Sequence, residues 1–314
     1  MFVTKAKRGK NDWWRYVLIL LSLVMVMSFA QMIALFALPL LYPEFDMMQL
    51  MNGNIPNEVD KNVIYFFLVL PFAISFLAMS ILIPLVHDRP FASLFQPSER
   101  IQWLKPLKMA GVFLFFLLAF EGLHYILMPE DYLIDYAGWR FWVTVLLSVF
   151  LLYFQTGWEE LVFRSYLYQG LGMWLQRRWI AIFLSAIFFA AMHMANPEAL
   201  AYNVQMLFAY YFLTGAFLGI LVVMEDNIYL AWAFHLANNF VAAVFFSYEG
   251  AALNTYALFK ATEVDMSMLL PSSFVSFIIL LLILKKVRNW PDWSQLWLPI
   301  DDSVKGMEDN STFI

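Results

Sequence analysis

Long runs of apolar residues dominate the pattern of hydrophobic and polar positions along this chain. The first run, from Tyr16 to Tyr42, has no charged residue over 27 positions, and seven further runs follow it. Because about 20 apolar residues cross a bilayer as a helix, each run is a candidate membrane span. The eight predicted spans are residues 16–42, 62–86, 109–128, 140–168, 179–195, 199–224, 228–248 and 266–284.

The charged residues between the spans alternate in sign. Lys and Arg are concentrated at the N-terminus and in 87–108, 170–178 and 285–288, whereas 43–61 and 129–139 are mainly acidic. Cytoplasmic loops carry an excess of Lys and Arg. The pattern therefore predicts eight spans with both termini in the cytoplasm, and it places the polar loop at 249–265 on the outer side.

Composition supports a membrane protein. Of the 314 residues, 62% are hydrophobic and 14% are charged, whereas soluble domains carry roughly 25% charged residues. Basic residues form no stripe with interleaved aromatics, which argues against nucleic acid as a partner. The chain has no cysteine, which excludes disulfides, thiolate metal ligands and a cysteine nucleophile. The expected fold is all-α and polytopic, with about eight transmembrane helices around a polar cavity.

Three charged residues interrupt the fourth span. Glu159, Glu160 and Arg164 follow 18 consecutive uncharged residues, and a charge near the bilayer centre costs ~2.5–3.5 kcal/mol. Glu160 and Arg164 are i,i+4 neighbours with the acid first, the better order for an ion pair. Glu159 lies about 100° round the helix, so it cannot share that arginine equally. We expect a structural Glu160 and a free Glu159; the alternative is that the helix has reached cytoplasmic water and both acids are solvated.

Two histidines and an asparagine occupy other apolar spans. His193 lies in the fifth span, and His235 and Asn239 share one helix face in the seventh, because they are i,i+4 neighbours. Polar groups inside a membrane need polar partners, and one cavity shared with Glu159 would supply them all. In such a cavity the carboxylate could take a proton from water while imidazole and amide donors stabilise an oxyanion. We expect the Glu159 carboxylate within about 8 Å of each imidazole.

The other two histidines are predicted to lie elsewhere. His87 stands beside Asp88 between two spans and is expected to be solvated. Glu121 and His124 have the i,i+3 spacing of a metal half-site in a helix bundle. Because the third span runs outward, these two residues should approach the outer interface, across the membrane from Glu159, and we do not expect them at the centre of function.

Three short motifs follow one another on separate predicted spans. They are Glu-Glu-x-x-x-Arg, Phe-x-x-x-His and His-x-x-x-Asn, carried by Glu159, Glu160 and Arg164, by Phe189 and His193, and by His235 and Asn239. In this order they resemble the CPBP family of intramembrane proteases. That family is related to the type II CAAX prenyl endopeptidase and includes bacteriocin-processing, immunity and abortive-infection-like proteins. The resemblance covers about residues 140–247 and does not fix a substrate.

The resemblance implies hydrolysis of a peptide bond within or near the lipid bilayer. Its substrate would be a membrane-associated peptide or protein, with prenylated CAAX proteins as a family precedent. Glu159 would match the catalytic glutamate that activates water together with His193. His235 and Asn239 would match the pair that stabilises the oxyanion, and the Glu160–Arg164 pair would support them.

The cofactor requirement stays open at this point. The family is often labelled a metalloprotease, and one carboxylate with two imidazoles, here Glu159, His193 and His235, could hold zinc with an open position. The family nevertheless lacks the His-Glu-x-x-His motif, and its better-understood members resemble glutamate-based enzymes. We therefore expect that no cofactor is required.

Two other functions compete with an endopeptidase. One is a non-catalytic immunity or scaffold protein with the same fold, although every motif position is intact. The other is a transporter, although four spans carry no charge and no internal repeat is evident.

The predicted organisation, in a bacterial inner membrane, is N-terminal helices in 1–139 with an interfacial segment at 87–108, a catalytic core in 140–248, a last loop and helix in 249–290, and a disordered or interfacial cytoplasmic tail in 291–314.

Overall fold

The computed structural model describes residues 1–43, 59–98, 100–248, 250–262 and 264–300, without the side chains of residues 34 and 35. Helices dominate this part of the chain, which confirms the all-α polytopic fold. The acidic loop at 43–61 and the tail after 300 lie largely outside it. The long helices are α1 (Trp13–Leu41), α2 (Lys61–His87), α3 (Lys105–Leu127), α4 (Trp139–Leu175), α5 (Arg178–His193), α6 (Val204–Glu225), α7 (Tyr229–Phe245) and α8 (Met266–Val287).

Each of these helices falls on a predicted span, but their lengths differ. Within the described residues, six are long and apolar enough to cross a membrane, which makes the chain a multi-pass integral membrane protein. The exceptions are α5, with 16 residues, and α7, with 12 α-helical residues followed by five in π-helical form. A count of eight full spans is therefore not established. The two short helices are the ones that carry His193 and His235.

The predicted loop at 170–178 is wrong. Helix α4 continues through a π-helical segment, Glu160–Leu167, and ends only at Leu175. Gly170 and Gly172 lie inside this extension. A Cβ on Gly170 would lie 2.5 Å from the Tyr16 ring, and one on Gly172 would lie 2.7 Å from Val3 and Ile300 side chains. These glycines permit close packing rather than a turn, so their presence misled the sequence interpretation.

The expectation that His87 is solvated is also wrong. His87 is the last residue of α2 and is fully buried. Its Nδ1 lies 2.7 Å from the Lys10 carbonyl oxygen, and its Nε2 lies 2.7 Å from the Tyr166 hydroxyl. The N-terminal segment, which includes a 3-10 helix at Val3–Arg8, packs over this end of α2 and removes the imidazole from solvent.

The two short helices start at different distances from Glu159, and this difference lets both of them meet α4 at one point. Beyond Glu159, α4 continues for eight π-helical and eight α-helical residues, and α5 starts just after that end. Helix α5 therefore uses its whole length to return to Glu159. Helix α7 starts nearer to Glu159, because the Ile228 N–H donates to the Phe95 carbonyl (3.1 Å) and the Tyr229 hydroxyl accepts from the Gln102 N–H (2.9 Å). His235 then follows Tyr229 by only six positions.

A small sheet lies at the end of α7 that is opposite to Tyr229. Its strands are β1 (Tyr132–Ile134), β2 (Phe246–Tyr248) and β3 (Phe259–Ala261), in the order β1-β3-β2. β3 pairs antiparallel with β1 and parallel with β2. Glu121 and His124 are tied to this sheet, because the Tyr132 hydroxyl donates to Glu121 (3.2 Å) and lies 2.7 Å from His124 Nδ1.

Candidate active site

The Glu160 carboxylate is fully buried and has two partners. Its Oε1 lies 3.2 Å from Nη1 of Arg164 and 2.7 Å from Nδ1 of His235. The Arg164 guanidinium is also buried and lies 3.8 Å from the centre of the Phe189 ring. The predicted Glu160–Arg164 pair is therefore present, and the alternative in which both acids are solvated is wrong. The contact with His235 was not foreseen.

The Glu159 carboxylate faces both imidazoles. Its Oε2 lies 3.5 Å from Nε2 of His235 and 4.0 Å from Nε2 of His193, well within the expected limit. Glu159 is 6% exposed, and its Oε1 accepts a hydrogen bond from the Gln155 amide. Its Oε2 has no hydrogen-bond donor among the described residues. Three of the predicted site residues thus converge at one buried point, while their chemical roles stay a prediction.

The partners of the two Nδ1 atoms determine what the imidazoles present to Glu159. His193 Nδ1 lies 2.7 Å from the Phe189 carbonyl oxygen, which can only accept a hydrogen bond. His235 Nδ1 faces the Glu160 carboxylate, which is likewise an acceptor when ionised. Each neutral imidazole therefore carries its proton on Nδ1 and directs the Nε2 lone pair towards Glu159 Oε2. Three acceptor atoms facing one point create a site for a hydrogen-bond donor, and water is the smallest one.

Aromatic rings fix the orientation of the His193 imidazole. Its centre lies 4.2 Å from that of Phe189 and 4.1 Å from that of Tyr211. The Tyr211 hydroxyl donates to the buried Glu198 carboxylate (2.5 Å), which also accepts from Tyr248 (2.6 Å) and from a backbone N–H in the loop beyond β2 (3.1 Å). Burial and the neighbouring Glu198 charge hold the pKa of Tyr248 well above its usual value, so its hydroxyl stays protonated and donates.

Sequence reasoning did not identify Tyr211 and Glu198. Glu198 follows Pro197 at the start of a four-residue helix, Glu198–Ala201, where an acidic residue is common without any functional role. Tyr211 lies on α6 among apolar residues, and nothing in its spacing relates it to His193. Only the packing of α6 against α5 brings the two rings together.

The Asn239 amide reaches Glu159 indirectly. Its Nδ2 donates to Oε1 of Gln155 (3.1 Å), and Gln155 in turn donates to Glu159. The sequence predicted that Asn239 lies near His235, but it did not single out Gln155. A signal was present, because Gln155 is a polar residue one helical turn before Glu159 in an otherwise apolar stretch.

The donor atoms do not fit a zinc ion as they stand. Zinc ligands lie about 2.0–2.2 Å from the metal, so the donors of one tetrahedral site are about 3.4 Å apart. The 4.0 Å between His193 Nε2 and Glu159 Oε2 is wider than that. Within the part of the chain that the structure describes, no group of three His, Asp or Glu side chains is arranged to bind a metal. We derive no chemical step through zinc.

Comparison with known proteins supports the resemblance of the motifs. The family model described as type II CAAX prenyl endopeptidase Rce1-like matches residues 138–241, a stretch that contains all three motifs. The chain is also 24% identical over 197 residues to "Uncharacterized protein YyaK" of Bacillus subtilis (strain 168), which covers 60% of this chain and 64% of that relative. The match thus spans just under two thirds of the relative. No solved structure matches the chain.

Proposed function

We propose that this protein, whose residues 138–241 match a family of membrane proteases, is an intramembrane endopeptidase that cleaves a membrane-associated protein or peptide with water activated by Glu159. The observation that carries the proposal is the buried Glu159 Oε2, which has no donor among the described residues and faces two imidazole Nε2 atoms at 3.5 and 4.0 Å. An ionised carboxylate in such a position can take a proton from a water molecule.

The reaction follows from these positions. Water donates a hydrogen bond to Glu159 Oε2, its oxygen attacks the peptide carbonyl carbon, and its proton passes to the carboxylate. The carbonyl oxygen becomes an oxyanion, which accepts a hydrogen bond from the Asn239 amide. Collapse of this intermediate breaks the C–N bond, and Glu159 returns the proton to the leaving nitrogen. The products are a new C-terminal carboxylic acid, which releases its proton to water, and a free amine.

His193 and the Glu160–Arg164 pair hold the reacting groups of this site in position. His193 Nε2 offers the water a second acceptor, and its ring cannot turn because it lies between Phe189 and Tyr211. Glu160 holds His235 through Nδ1 at 2.7 Å. A fixed arrangement of this kind stabilises the transition state because the protein does not reorganise as charge develops.

The first substrate class to test is a prenylated C-terminal peptide, because the matched family is described as a CAAX prenyl endopeptidase. By the distribution of basic loops we place both termini in the cytoplasm of a bacterial inner membrane. Several apolar helices and the surrounding lipid would then hold the prenyl group close to the site.

The test compares Glu159→Gln with Glu121→Gln, a matched change at a carboxylate bonded to Tyr132 at the far end of α3. Cells that express each variant are compared by proteomics for new C-termini of membrane proteins. We expect the new C-termini with wild type and Glu121→Gln, and none with Glu159→Gln at equal protein yield. Equal cleavage by Glu159→Gln would overturn the proposal and favour a scaffold role.

A further inference from the structure

A chain of amide side chains joins α7 to the carboxylate on α4. Asn238 Nδ2 donates to Asn239 Oδ1 (3.3 Å), Asn239 Nδ2 donates to Gln155 Oε1 (3.1 Å), and Gln155 Nε2 donates to Glu159 Oε1. Gln155 is 7% exposed and Glu159 is 6% exposed, so water competes little for these bonds. Every link in the chain is a hydrogen bond between side chains.

The carboxylate at the end of the chain fixes the direction of every bond. Ionised Glu159 can only accept, so Gln155 must turn its NH₂ group towards it. The Gln155 carbonyl then faces Asn239, and Asn239 must present its own NH₂ group in return. Because Asn238 occupies Asn239 Oδ1, the second N–H of Asn239 is the group left for a substrate oxygen.

We propose that Gln155 is a positioning residue that orients the base and the oxyanion donor together. It binds Glu159 Oε1, so Oε2 is the oxygen that faces His193 and His235. It also accepts from Asn239, so that amide directs a donor rather than an acceptor into the site. This inference rests on the proposed function, since it concerns residues of that reaction.

The first test is Gln155→Leu, which keeps the size of the side chain and removes both hydrogen bonds. A misplacement of about 1 Å in a catalytic group costs on the order of 100-fold in rate. We expect kcat for a prenylated CAAX peptide to fall ~10–100-fold while KM stays within about threefold. Wild-type kcat in folded Gln155→Leu would overturn the inference.

The matched control is Gln169→Leu, fourteen residues further along the same helix. Gln169 is also a buried amide, and it bonds to Arg89 (2.7 Å) and to the Ser93 carbonyl (2.9 Å) far from the imidazoles. Its replacement should lower thermal stability without changing the pH profile of turnover. A drop in kcat equal to that of Gln155→Leu would show a general structural effect and overturn the inference.

Gln155→Glu gives a readout that a merely structural role would not produce. Two adjoining carboxylates cannot both ionise readily, so one of them holds a proton. At low pH a protonated Glu at 155 can donate to Glu159 as the amide does, and as the pH rises that donor is lost. Activity relative to wild type should therefore be highest at low pH and fall as the pH increases. A ratio that does not change with pH would overturn the inference.

Two further measurements separate this inference from the proposed function. If Glu159→Gln still cleaves, the proposed function fails. If Glu159→Gln is inactive and Gln155→Leu is fully active, only the positioning role fails. Thermal unfolding of Gln155→Leu, Asn239→Leu and the double variant needs no substrate. We expect their shifts in Tm to be non-additive, because the two residues share a hydrogen bond. Additive shifts in Tm would contradict the chain of hydrogen bonds.

Discussion

Replacing Gly157 with alanine tests whether close contact between α4 and α7 determines the geometry of the site. A Cβ at Gly157 would lie 2.5 Å from Cζ2 and 2.7 Å from Cε2 of the Trp232 indole. Trp232 is fully buried, its ring packs against Phe76 and Tyr153, and its indole N–H donates to the Tyr153 carbonyl (3.1 Å). Because the ring is enclosed, we expect the two helices to separate.

The size of the separation follows from the contact distances. Carbon atoms in contact lie about 3.5–4.0 Å apart, so the helices must separate by ~1 Å. His235 lies on α7 three residues after Trp232, and its 2.7 Å contact with Glu160 would lengthen beyond hydrogen-bond distance. Overpacking of this kind costs ~1–3 kcal/mol of stability. A 1 Å displacement of the imidazole from Glu159 should lower turnover on the order of 100-fold.

The assay measures thermal unfolding in one detergent and the rate of peptide cleavage for Gly157→Ala and for a matched control. The control is Gly111→Ala in α3, where an added Cβ meets no atom within 4 Å. Alanine favours a helix over glycine, so Gly111→Ala should have an unchanged or higher Tm. Equal Tm for both variants would refute the argument from close contact. A lower Tm with normal turnover would refute the link between helix separation and the site.

Two other predictions concern the buried ion pair and the requirement for a metal. Glu160→Gln and Arg164→Leu should each lower the free energy of unfolding by ~3–5 kcal/mol, because each leaves a buried charge without its partner. The double variant should lose less than the sum of the two single losses. Additive losses in denaturation experiments would contradict the pairing. Purified protein should keep its cleavage rate in strong chelators, whereas loss of activity that zinc alone restores would support a metal-dependent reaction.

Features of the site that depend on one helix could be predicted from the sequence. The Glu160–Arg164 pair and the shared face of His235 and Asn239 follow from i,i+4 spacing, which any α-helix imposes. The bond between Glu160 and His235 depends instead on how α4 and α7 are rotated about their own axes. No residue pattern within either helix contains that rotation, so this contact and the bond between Asn239 and Gln155 became evident only in the folded chain.

The same distinction explains the errors of the sequence interpretation. A glycine pair in a mixed stretch predicts a turn as readily as a close helix contact, and at Gly170 the deciding partner is Tyr16, which is remote in sequence. His87 has a charged neighbour and looks exposed, but the segment around Lys10 covers it. Both outcomes depend on where residues 10–16 pack, and that position cannot be read from local periodicity.

The three hydrogen bonds to Glu198 make the order of His193 depend on local unfolding of the loop beyond β2. One carboxylate joins Tyr211 on α6, Tyr248 in β2 and the backbone N–H of residue 252. Opening of the loop breaks the bond from the residue 252 N–H and loosens Glu198, which in turn holds Tyr211, whose ring packs on His193. Hydrogen exchange at the residue 252 amide would therefore report the opening free energy that limits how long the imidazole stays fixed.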